Sequence, residues 1–308
     1  MRKLKFAACM MLAAAMLLSS AACEVKEVNE ENGVNEGNEV NEGNEEKEEV
    51  KLTELEAGKT AIEVEHHDRT VHGDAYIPEE PDFPIVIFSH GYNGYKDDFR
   101  SSAQYLMDEG IASLTFTFCG SGERDPSGFG TTNMTLFTEK EDLSALIDYA
   151  KGIKGFNGSL YLCGGSQGGM VSAMTAEERG EEIRGMVLLF PAFCIPDNWN
   201  NTNYPVDKYP TLESIPETID FWGVKLGRNF VFTLRKLNIY ANMSSYKNPV
   251  LLLHGTEDAI VPLSDSERAA KTYPNAELVV YNGEGHGFTA NTMKDVDERL
   301  LAFIRNNP

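Results

Sequence analysis

A serine within a glycine-rich run is the first feature of this sequence that could do chemistry. The run GGSQGG spans residues 164–169 and places Ser166 between an apolar segment of strand length and a segment with helical spacing. A G-x-S-x-G pattern between a strand and a helix is typical of a sharp turn that exposes the serine hydroxyl. The flanking glycines allow a strained backbone and close packing of neighbouring elements. We therefore predict that Ser166 is a nucleophile.

An acid and a base that could activate this serine follow it in the chain. Asp258 comes directly after an apolar run of strand length, and His286 comes after a second β-like run. A histidine can take the proton of the serine, and a carboxylate can orient that histidine. The carboxyl ends of parallel strands lie at the same edge of a sheet, so residues that follow these strands can lie close together. We therefore predict a triad of Ser166, Asp258 and His286. Glu257 is the alternative acid.

Acyl transfer also needs N–H donors where negative charge develops on the substrate carbonyl oxygen. The segment HGYNG at residues 90–94 follows another apolar run, and a loop of this kind supplies one backbone N–H. The residue after the nucleophile, Gln167, supplies the other. His90 is an alternative base, but its place at a strand end before a glycine favours a role in shaping this loop.

The elements that must position these groups alternate between strand and helix. After β-like runs at 61–65 and 70–77, strands are predicted at 85–89, 112–118, 160–163, 186–190, 250–253 and 277–281, and helices at 97–109, 168–178, 264–272 and 293–305. Thr138 and Glu141 are expected to form a capping box that begins a further helix. Strands that are apolar throughout predict an α/β fold with a mostly parallel sheet and helices on both faces.

Residues 192–246 interrupt this alternation, and we interpret them as an insertion above the sheet. Ten aromatic residues lie within it: Phe193, Trp199, Tyr204, Tyr209, Phe221, Trp222, Phe230, Phe232, Tyr240 and Tyr246. Flat aromatic walls suit a planar ligand. Trp199 and Trp222 are therefore candidate substrate-binding residues, with the alternative that most of these rings hold the insertion together.

The N-terminus has the pattern of an export signal. Basic residues at positions 2, 3 and 5 precede an apolar run at 6–18 that is too short for a permanent membrane span. Residues 20–23, SAAC, resemble the lipobox of bacterial lipoproteins. The resemblance implies a signal peptide at 1–23 and a lipidated Cys23 that anchors the protein at the outer face of the bacterial cell membrane. Cleavage before an unmodified Cys23, followed by secretion, is the alternative.

Residues 24–56 form an acidic, low-complexity segment. They contain 13 Glu and 3 Lys and so contribute −10 of the net charge of −21. Such a segment has little to bury, and we predict a disordered linker rather than a calcium-binding repeat, because the Asp-rich pattern of calcium loops is missing. The remaining domain, 57–308, has no strip dense in Lys and Arg, which argues against a nucleic-acid partner.

Cysteines and histidines outside the predicted triad indicate neither a disulfide framework nor a metal site. The domain has an odd number of cysteines, Cys119, Cys163 and Cys194. The histidines at 66, 67 and 72 lack the spacing of common metal motifs. We expect no metal and no cofactor.

Several motifs in the domain resemble one known family. They are SHGYNG at 89–94, GSGE at 120–123, NMT at 133–135, the serine motif, WGVKLGR at 222–228, and the loops of Asp258 and His286. Over residues 60–304 the sequence resembles the cinnamoyl or feruloyl esterases of the α/β-hydrolase superfamily. The resemblance implies the α/β-hydrolase fold with an inserted cap at 192–246, the same triad, and an oxyanion hole made by the backbone N–H groups of Tyr92 and Gln167.

Two positions depart from the pattern of that family. Gly165 stands where many relatives carry a histidine, and Cys119 stands where relatives often have a polar residue. Neither departure removes a catalytic group. Both bear on the shape of the pocket.

The expected function is that of a serine carboxylic ester hydrolase that releases hydroxycinnamic, ferulic-type acids through an acyl-enzyme. A short-acyl or acylglycerol esterase on the same triad is an alternative within the same chemistry. A non-catalytic surface binding protein on a hydrolase scaffold is an alternative of another class. The expected partners are a small-molecule ester and, through Cys23, the membrane, and the sequence leaves the oligomeric state open.

Overall fold

An eight-stranded sheet forms the centre of the domain in the computed structural model, which describes residues 52–308. The predicted signal peptide, Cys23 and the predicted linker up to residue 51 lie outside the described residues. The strands are β1 (Gly58–His66), β2 (Arg69–Ile77), β3 (Phe83–Ser89), β4 (Ala112–Thr117), β5 (Phe156–Gly165), β6 (Gly185–Leu189), β9 (Val250–Gly255) and β10 (Ala276–Tyr281). Two further strands, β7 (Thr218–Phe221) and β8 (Val224–Gly227), form a separate hairpin.

The strand order is β1-β2-β4-β3-β5-β6-β9-β10. Strand β2 runs antiparallel to β1 and to β4, and every other neighbouring pair in this sheet is parallel. The central strands β4, β6 and β9 are buried along their whole length, because both faces of the sheet are covered. This arrangement confirms the predicted mostly parallel sheet.

Helices cover both faces of the sheet. The α-helices of residues 52–308 are α1 (Arg100–Asp108), α2 (Leu136–Lys151), α3 (Gln167–Arg179), α4 (Ile195–Asn198), α5 (Arg228–Leu234), α6 (Leu263–Thr272) and α7 (Ala290–Asn306), of which α4 and α5 belong to the insertion. The apolar faces of α1 and α7 share one buried cluster, to which Leu106 and Leu300 belong. The apolar faces of α2 and α3 share the cluster on the other side, which includes Leu146 and Met170. Within residues 52–308 no helix combines the length and the apolar character needed to cross a bilayer.

Helix α2 begins earlier than predicted. Its N-cap is Thr135, and Thr135 and Thr138 each accept a hydrogen bond from the backbone N–H of the other. Thr138 is therefore the third helical residue, and the predicted capping box of Thr138 with Glu141 is wrong. Glu141 instead accepts a hydrogen bond from Arg69.

The start of the domain and the insertion differ in detail from the sequence predictions. Thr53 already hydrogen-bonds to the domain, through its backbone N–H to the Gly152 carbonyl at 2.7 Å, before the predicted linker boundary at residue 56. Residues 192–246 contain α4, a π-helical turn (Trp199–Asn203), the β7–β8 hairpin and α5. The hairpin was not predicted, because its strands have four residues each.

Candidate active site

Ser166 occupies the sharp turn between β5 and α3. Its backbone has φ 52° and ψ −119°, a conformation that a residue with a Cβ adopts rarely and at a cost in free energy. The turn is held from both sides, because the Ser166 N–H donates to the Leu189 carbonyl and the Ser166 carbonyl accepts from the Ala192 N–H, each at 2.9 Å. The serine hydroxyl is thereby directed out of the carboxyl edge of the sheet.

The glycines beside Ser166 serve close packing rather than backbone strain. A Cβ on Gly168 would lie 2.2 Å from the Ser89 carbonyl oxygen and 2.4 Å from that of His90. A Cβ on Gly164 would lie 2.5 Å from the Gly168 carbonyl oxygen. Neither glycine has a positive φ, whereas Ser166 does. Gly168 therefore lets α3 approach the end of β3, where the loop predicted to bind the oxyanion begins, and Gly164 lets α3 approach β5.

The structure brings the three predicted triad residues into one hydrogen-bonded chain. His286 Nε2 lies 3.0 Å from Ser166 Oγ, and His286 Nδ1 lies 2.8 Å from Asp258 Oδ2. Ser166 follows β5, Asp258 follows β9 and His286 follows β10, so all three leave the same edge of the sheet. This geometry allows the imidazole to take the hydroxyl proton while the carboxylate holds the ring.

Asp258 is held as an ionised hydrogen-bond acceptor. Its side chain is fully buried, and Oδ1 accepts from the backbone N–H groups of Ile260 at 2.9 Å and Val261 at 2.8 Å. Burial alone raises the pKa of Asp258, but the hydrogen bonds from Val261, His286 and Ile260 outweigh it, and the net pKa is lowered. Glu257, the alternative acid, has an exposed side chain and takes no part in this chain of contacts.

A second histidine lies against the same carboxylate, and the sequence analysis did not identify it. His254 is fully buried, with Nε2 3.3 Å from Asp258 Oδ2 and 3.1 Å from the Val261 carbonyl oxygen, while Nδ1 lies 2.7 Å from Ser266 Oγ. Burial lowers its pKa, so the ring is neutral near pH 7. Its place in the run HGTED, four residues before Asp258, was the only available sequence signal.

His90 is a structural residue in this site rather than a base. Its Nε2 accepts the Phe118 backbone N–H at 3.0 Å, and its Nδ1 lies 2.7 Å from the carbonyl oxygen of Gly91, which it can only approach as a donor. Burial lowers the pKa of His90 to about 4. Both ring nitrogens are therefore occupied, and the ring ties the loop after β3 to the end of β4.

The two backbone N–H groups expected to form the oxyanion hole lie beside Ser166. Tyr92, Ser166 and Gln167 line one pocket, and a Cβ on Gly91 would be 3.2 Å from the Cβ of Ser166. Within residues 52–308 neither the Tyr92 N–H nor the Gln167 N–H donates to a carbonyl or side chain. Both donors are thus free for a ligand, as an oxyanion hole requires.

The pocket above Ser166 has a volume of about 450 Å³ and aromatic walls. Four of the ten aromatic residues of the insertion line it: Trp199, Phe221, Trp222 and Phe230. Polar side chains are interspersed at Asn198, Thr202 and Asn203. The six remaining aromatic residues do not line this pocket, which agrees with the alternative that most of these rings hold the insertion together.

The two tryptophans occupy different environments in the pocket wall. Trp199 is 3% exposed and contacts Phe221 and Phe230, with ring centroids 4.8 and 5.4 Å away. Trp222 is 64% exposed and stacks on Phe221 at 4.8 Å. Trp222 and Gly223 form the two-residue turn between β7 and β8, with φ values of 46° and 83°. A large ring in this left-handed conformation is unusual and costs stability, a pattern common at functional sites.

Of the three cysteines in the described domain, Cys194 lines the pocket, whereas Cys119 and Cys163 do not. Cys119, Cys163 and Cys194 are all free thiols.

The structure does bring His66 and His67 together with Glu141, with potential ligand atoms within 4.8 Å of one another. Sequence spacing did not predict this group, because Glu141 comes from α2. Its carboxylate is already paired with Arg69 at 2.9 Å, which weakens it as a metal ligand.

Two families match the chain in separate segments. Residues 80–215 match the family described as serine aminopeptidase, S33, and residues 235–307 match the family described as TAP-like protein. The bifunctional esterase/perhydrolase DCH of Acinetobacter calcoaceticus is 21% identical over 263 residues, which are 73% of this chain and 93% of that protein. A non-heme chloroperoxidase of Streptomyces lividans is 20% identical, over 72% of this chain and 91% of that protein.

Solved structures show the same fold. Est1E from Butyrivibrio proteoclasticus with bound ferulic acid has a TM-score of 0.72 at 24% identity, over 80% of this chain and 99% of that chain. A monoacylglycerol lipase of Paleococcus ferrophilus has a TM-score of 0.58 at 16% identity, over 77% of this chain and 99% of that chain. The fold and the family matches together define an α/β-hydrolase. The family match over residues 80–215 and the similarity to the esterase/perhydrolase DCH support a hydrolase of this fold.

Proposed function

We propose that this protein is a serine carboxylic ester hydrolase in which Ser166 attacks the ester carbonyl, His286 is the general base and Asp258 orients His286. The observation that carries the proposal is the 3.0 Å contact between Ser166 Oγ and His286 Nε2, at the base of the 450 Å³ pocket. In this mechanism His286 takes the Ser166 proton as Oγ bonds to the carbonyl carbon. The Tyr92 and Gln167 N–H groups bind the resulting oxyanion.

The tetrahedral intermediate then collapses to an acyl-enzyme, and water hydrolyses the acyl-enzyme in a second stage. His286 returns the proton to the departing alcohol as the ester C–O bond breaks, which leaves an acyl group on Ser166. A water molecule, deprotonated by His286, attacks this acyl group, and the acid leaves as His286 returns the proton to Ser166 Oγ. Oxygen and proton balance is complete without a metal or cofactor.

Replacement of Ser166 tests the nucleophile. Ser166→Ala should lower kcat/KM for esters by about 10⁴-fold or more, because the acyl-enzyme can no longer form. Mass spectrometry should place a serine-directed phosphonate on Ser166. Ser101→Ala, at an exposed position of α1, is the matched control and should keep the parent activity and label. An active Ser166→Ala enzyme would refute the assignment.

We propose hydroxycinnamate esters as the substrate class. The support is a pocket wall near Ser166 that contains aromatic rings and interspersed polar side chains, which suits an aromatic ring that carries hydroxyl groups. Est1E, whose structure contains ferulic acid, shares the fold. An aromatic contact contributes about 0.5–1.5 kcal/mol beyond area burial, so the preference expected from one side chain is several-fold to about tenfold.

The substrate proposal is tested by comparing methyl ferulate with methyl butyrate. The parent should favour ferulate, and Trp222→Ala should reduce the ratio of the two kcat/KM values by several-fold. Val206→Ala is the control, because Val206 is an exposed apolar residue of the insertion that does not line the pocket. Faster turnover of butyrate, with a ratio that Trp222→Ala leaves unchanged, would support the short-acyl esterase alternative and exclude hydroxycinnamates.

We also propose that the protein is exported and anchored outside the cytoplasmic membrane through a lipidated Cys23. The support is the SAAC sequence at residues 20–23 after a basic and apolar leader. Mass spectrometry of the mature N-terminus should find a diacylated Cys23, and Cys23→Ser should release the protein from the membrane fraction. An unmodified Cys23 on protein in the medium would establish secretion instead.

A further inference from the structure

Glu139 is a buried carboxyl group in direct contact with one of the two oxyanion-hole residues. Both of its oxygens lie 2.8 Å from Gln167 Nε2, which donates to them. Glu139 is 1% exposed and Gln167 is 2% exposed. Glu139 lies in the first turn of α2, and Gln167 is the first residue of α3. This contact therefore joins two helices at Gln167, the pocket residue whose backbone N–H is proposed to bind the substrate oxyanion.

The surroundings of Glu139 disfavour its negative charge. Asp142, on the same helix, adds a further negative charge, and Arg69 is committed to Asp142 at 2.7 Å and to Glu141 at 2.9 Å. Among residues 52–308 no cation pairs with Glu139. The charge of Glu139 adds to burial in raising the pKa of Tyr92. Burial, together with Asp142, raises the pKa of Glu139 to about 8 against the opposing effect of the Gln167 hydrogen bond.

We propose that Glu139 is a positioning residue for the oxyanion hole that also makes the reaction depend on its own protonation state. Protonated Glu139 still accepts the Gln167 Nε2 hydrogen bond through its carbonyl oxygen, which holds the Gln167 side chain and thereby fixes the Gln167 backbone N–H. Ionised Glu139 keeps that contact but places a negative charge behind the hole. Because this charge repels the negative charge on the substrate oxygen in the transition state, the reaction slows. The inference rests on the proposed ester hydrolysis at Ser166.

The direction of the pH effect follows from this arrangement. Glu139 is protonated below pH 8 and loses its proton as the pH rises through that value, so kcat/KM should fall on the alkaline side. The other titratable groups at this end of the pocket do not explain such a fall. Burial raises the pKa of the Tyr92 hydroxyl well above its ordinary value and that of the Cys194 thiol to about 12.

The test is a pH profile of the full chain with methyl cinnamate, an ester without a titratable group. In the parent, kcat/KM should fall at least about threefold from pH 7 to pH 9.5. In Glu139→Gln the profile should be flat over this range, because the amide has the same shape and an oxygen that still accepts from Gln167. Glu139→Ala, which removes the contact, should lower kcat at every pH while KM changes little.

Glu177→Gln is the matched control for burial and titration. Glu177 is a half-buried carboxyl of α3 with a pKa raised to about 7 by burial, and it does not line the pocket. Its replacement should leave the alkaline fall in place. The inference is overturned if Glu139→Gln retains the parent profile, or if Glu177→Gln abolishes the fall equally well. Failure of the parent to hydrolyse any ester at any pH would instead refute the proposed function.

If Glu139→Gln fails to fold, the parent alone still provides a test. Carbon-13 NMR of protein labelled at the glutamate carboxyl carbons should contain a resonance that titrates near pH 8 and shifts when a phosphonate occupies Ser166. Titration of every glutamate below pH 6 would overturn the inference without any variant.

Discussion

The edge of the sheet and the insertion above it both contribute to the pocket, but they hold their residues by different means. Ser166, Asp258 and His286 each follow a strand of the parallel sheet, and backbone hydrogen bonds fix the Ser166 turn and the Asp258 carboxylate. The insertion contributes Trp199 and Trp222 through ring-on-ring packing. Hydrogen bonds fix the orientation of the groups that they join, whereas residues held by apolar packing can shift when a neighbour is replaced. Substitutions at the edge should therefore change rate, and substitutions in the insertion should change stability and substrate preference.

The largest expected effect lies at the sheet edge. Asp258→Asn should lower kcat by about 10³–10⁴-fold with little loss of stability, because the amide can no longer stabilise the imidazolium or select the tautomer that leaves Nε2 free. Steady-state kinetics and a thermal unfolding curve measure the two quantities. Glu257→Gln is the matched control and should keep the parent rate. Equal losses in both variants would show that the acid is not confined to Asp258.

The sheet edge was predictable because its signals are local. Each triad residue follows an apolar run within a few positions, and the common edge follows from parallel strands. The contacts of Glu139 with Gln167 and of His254 with Asp258 were missed for different reasons. The first joins residues 28 apart on two helices. The second depends on the loop after β9, whose folding a sequence pattern does not describe.

The insertion was predictable only as an aromatic region without regular alternation. Its hairpin has four-residue strands and the turn Trp222-Gly223, in which both residues have positive φ. A glycine at the second position was a usable signal for such a turn, but tryptophan at the first is not. Which rings line the pocket depends on how the insertion folds over Ser166. The sequence could not separate the buried Trp199 from the exposed Trp222.

Trp199 and Trp222 should differ in how much they contribute to the free energy of unfolding. Trp199→Ala should lower the free energy of unfolding by about 3–5 kcal/mol, because it empties a packed site between Phe221 and Phe230. Trp222→Ala should cost much less stability, since the Trp222 side chain is exposed and alanine meets the same backbone strain. Denaturant unfolding of both variants measures the difference. A comparable loss in Trp222→Ala would contradict the division of the pocket wall into a buried part and an exposed part.

The smallest expected effect lies where the two regions meet, at Tyr92. Tyr92 lines the pocket, and its hydroxyl donates to the Phe221 carbonyl at 2.7 Å and so holds the tip of the β7–β8 hairpin. Tyr92→Phe keeps the backbone donor and the ring but removes this hydrogen bond, which contributes about 0.5–1.5 kcal/mol. We expect the melting temperature to fall by about 2–4 °C.

The kinetic effect of Tyr92→Phe should depend on the substrate, because the hairpin that it loosens carries Trp222. The kcat/KM for methyl ferulate should fall about three- to tenfold, mainly through KM, since a mobile wall binds the ring less well before and during reaction. Methyl butyrate, which has no ring to place against Trp222, should lose less. Steady-state measurement of kcat and KM for both esters tests this difference. An equal fall in kcat for both would mean that the Tyr92 hydroxyl acts on the oxyanion loop itself, and the sheet edge and the insertion would then have to be treated as one unit.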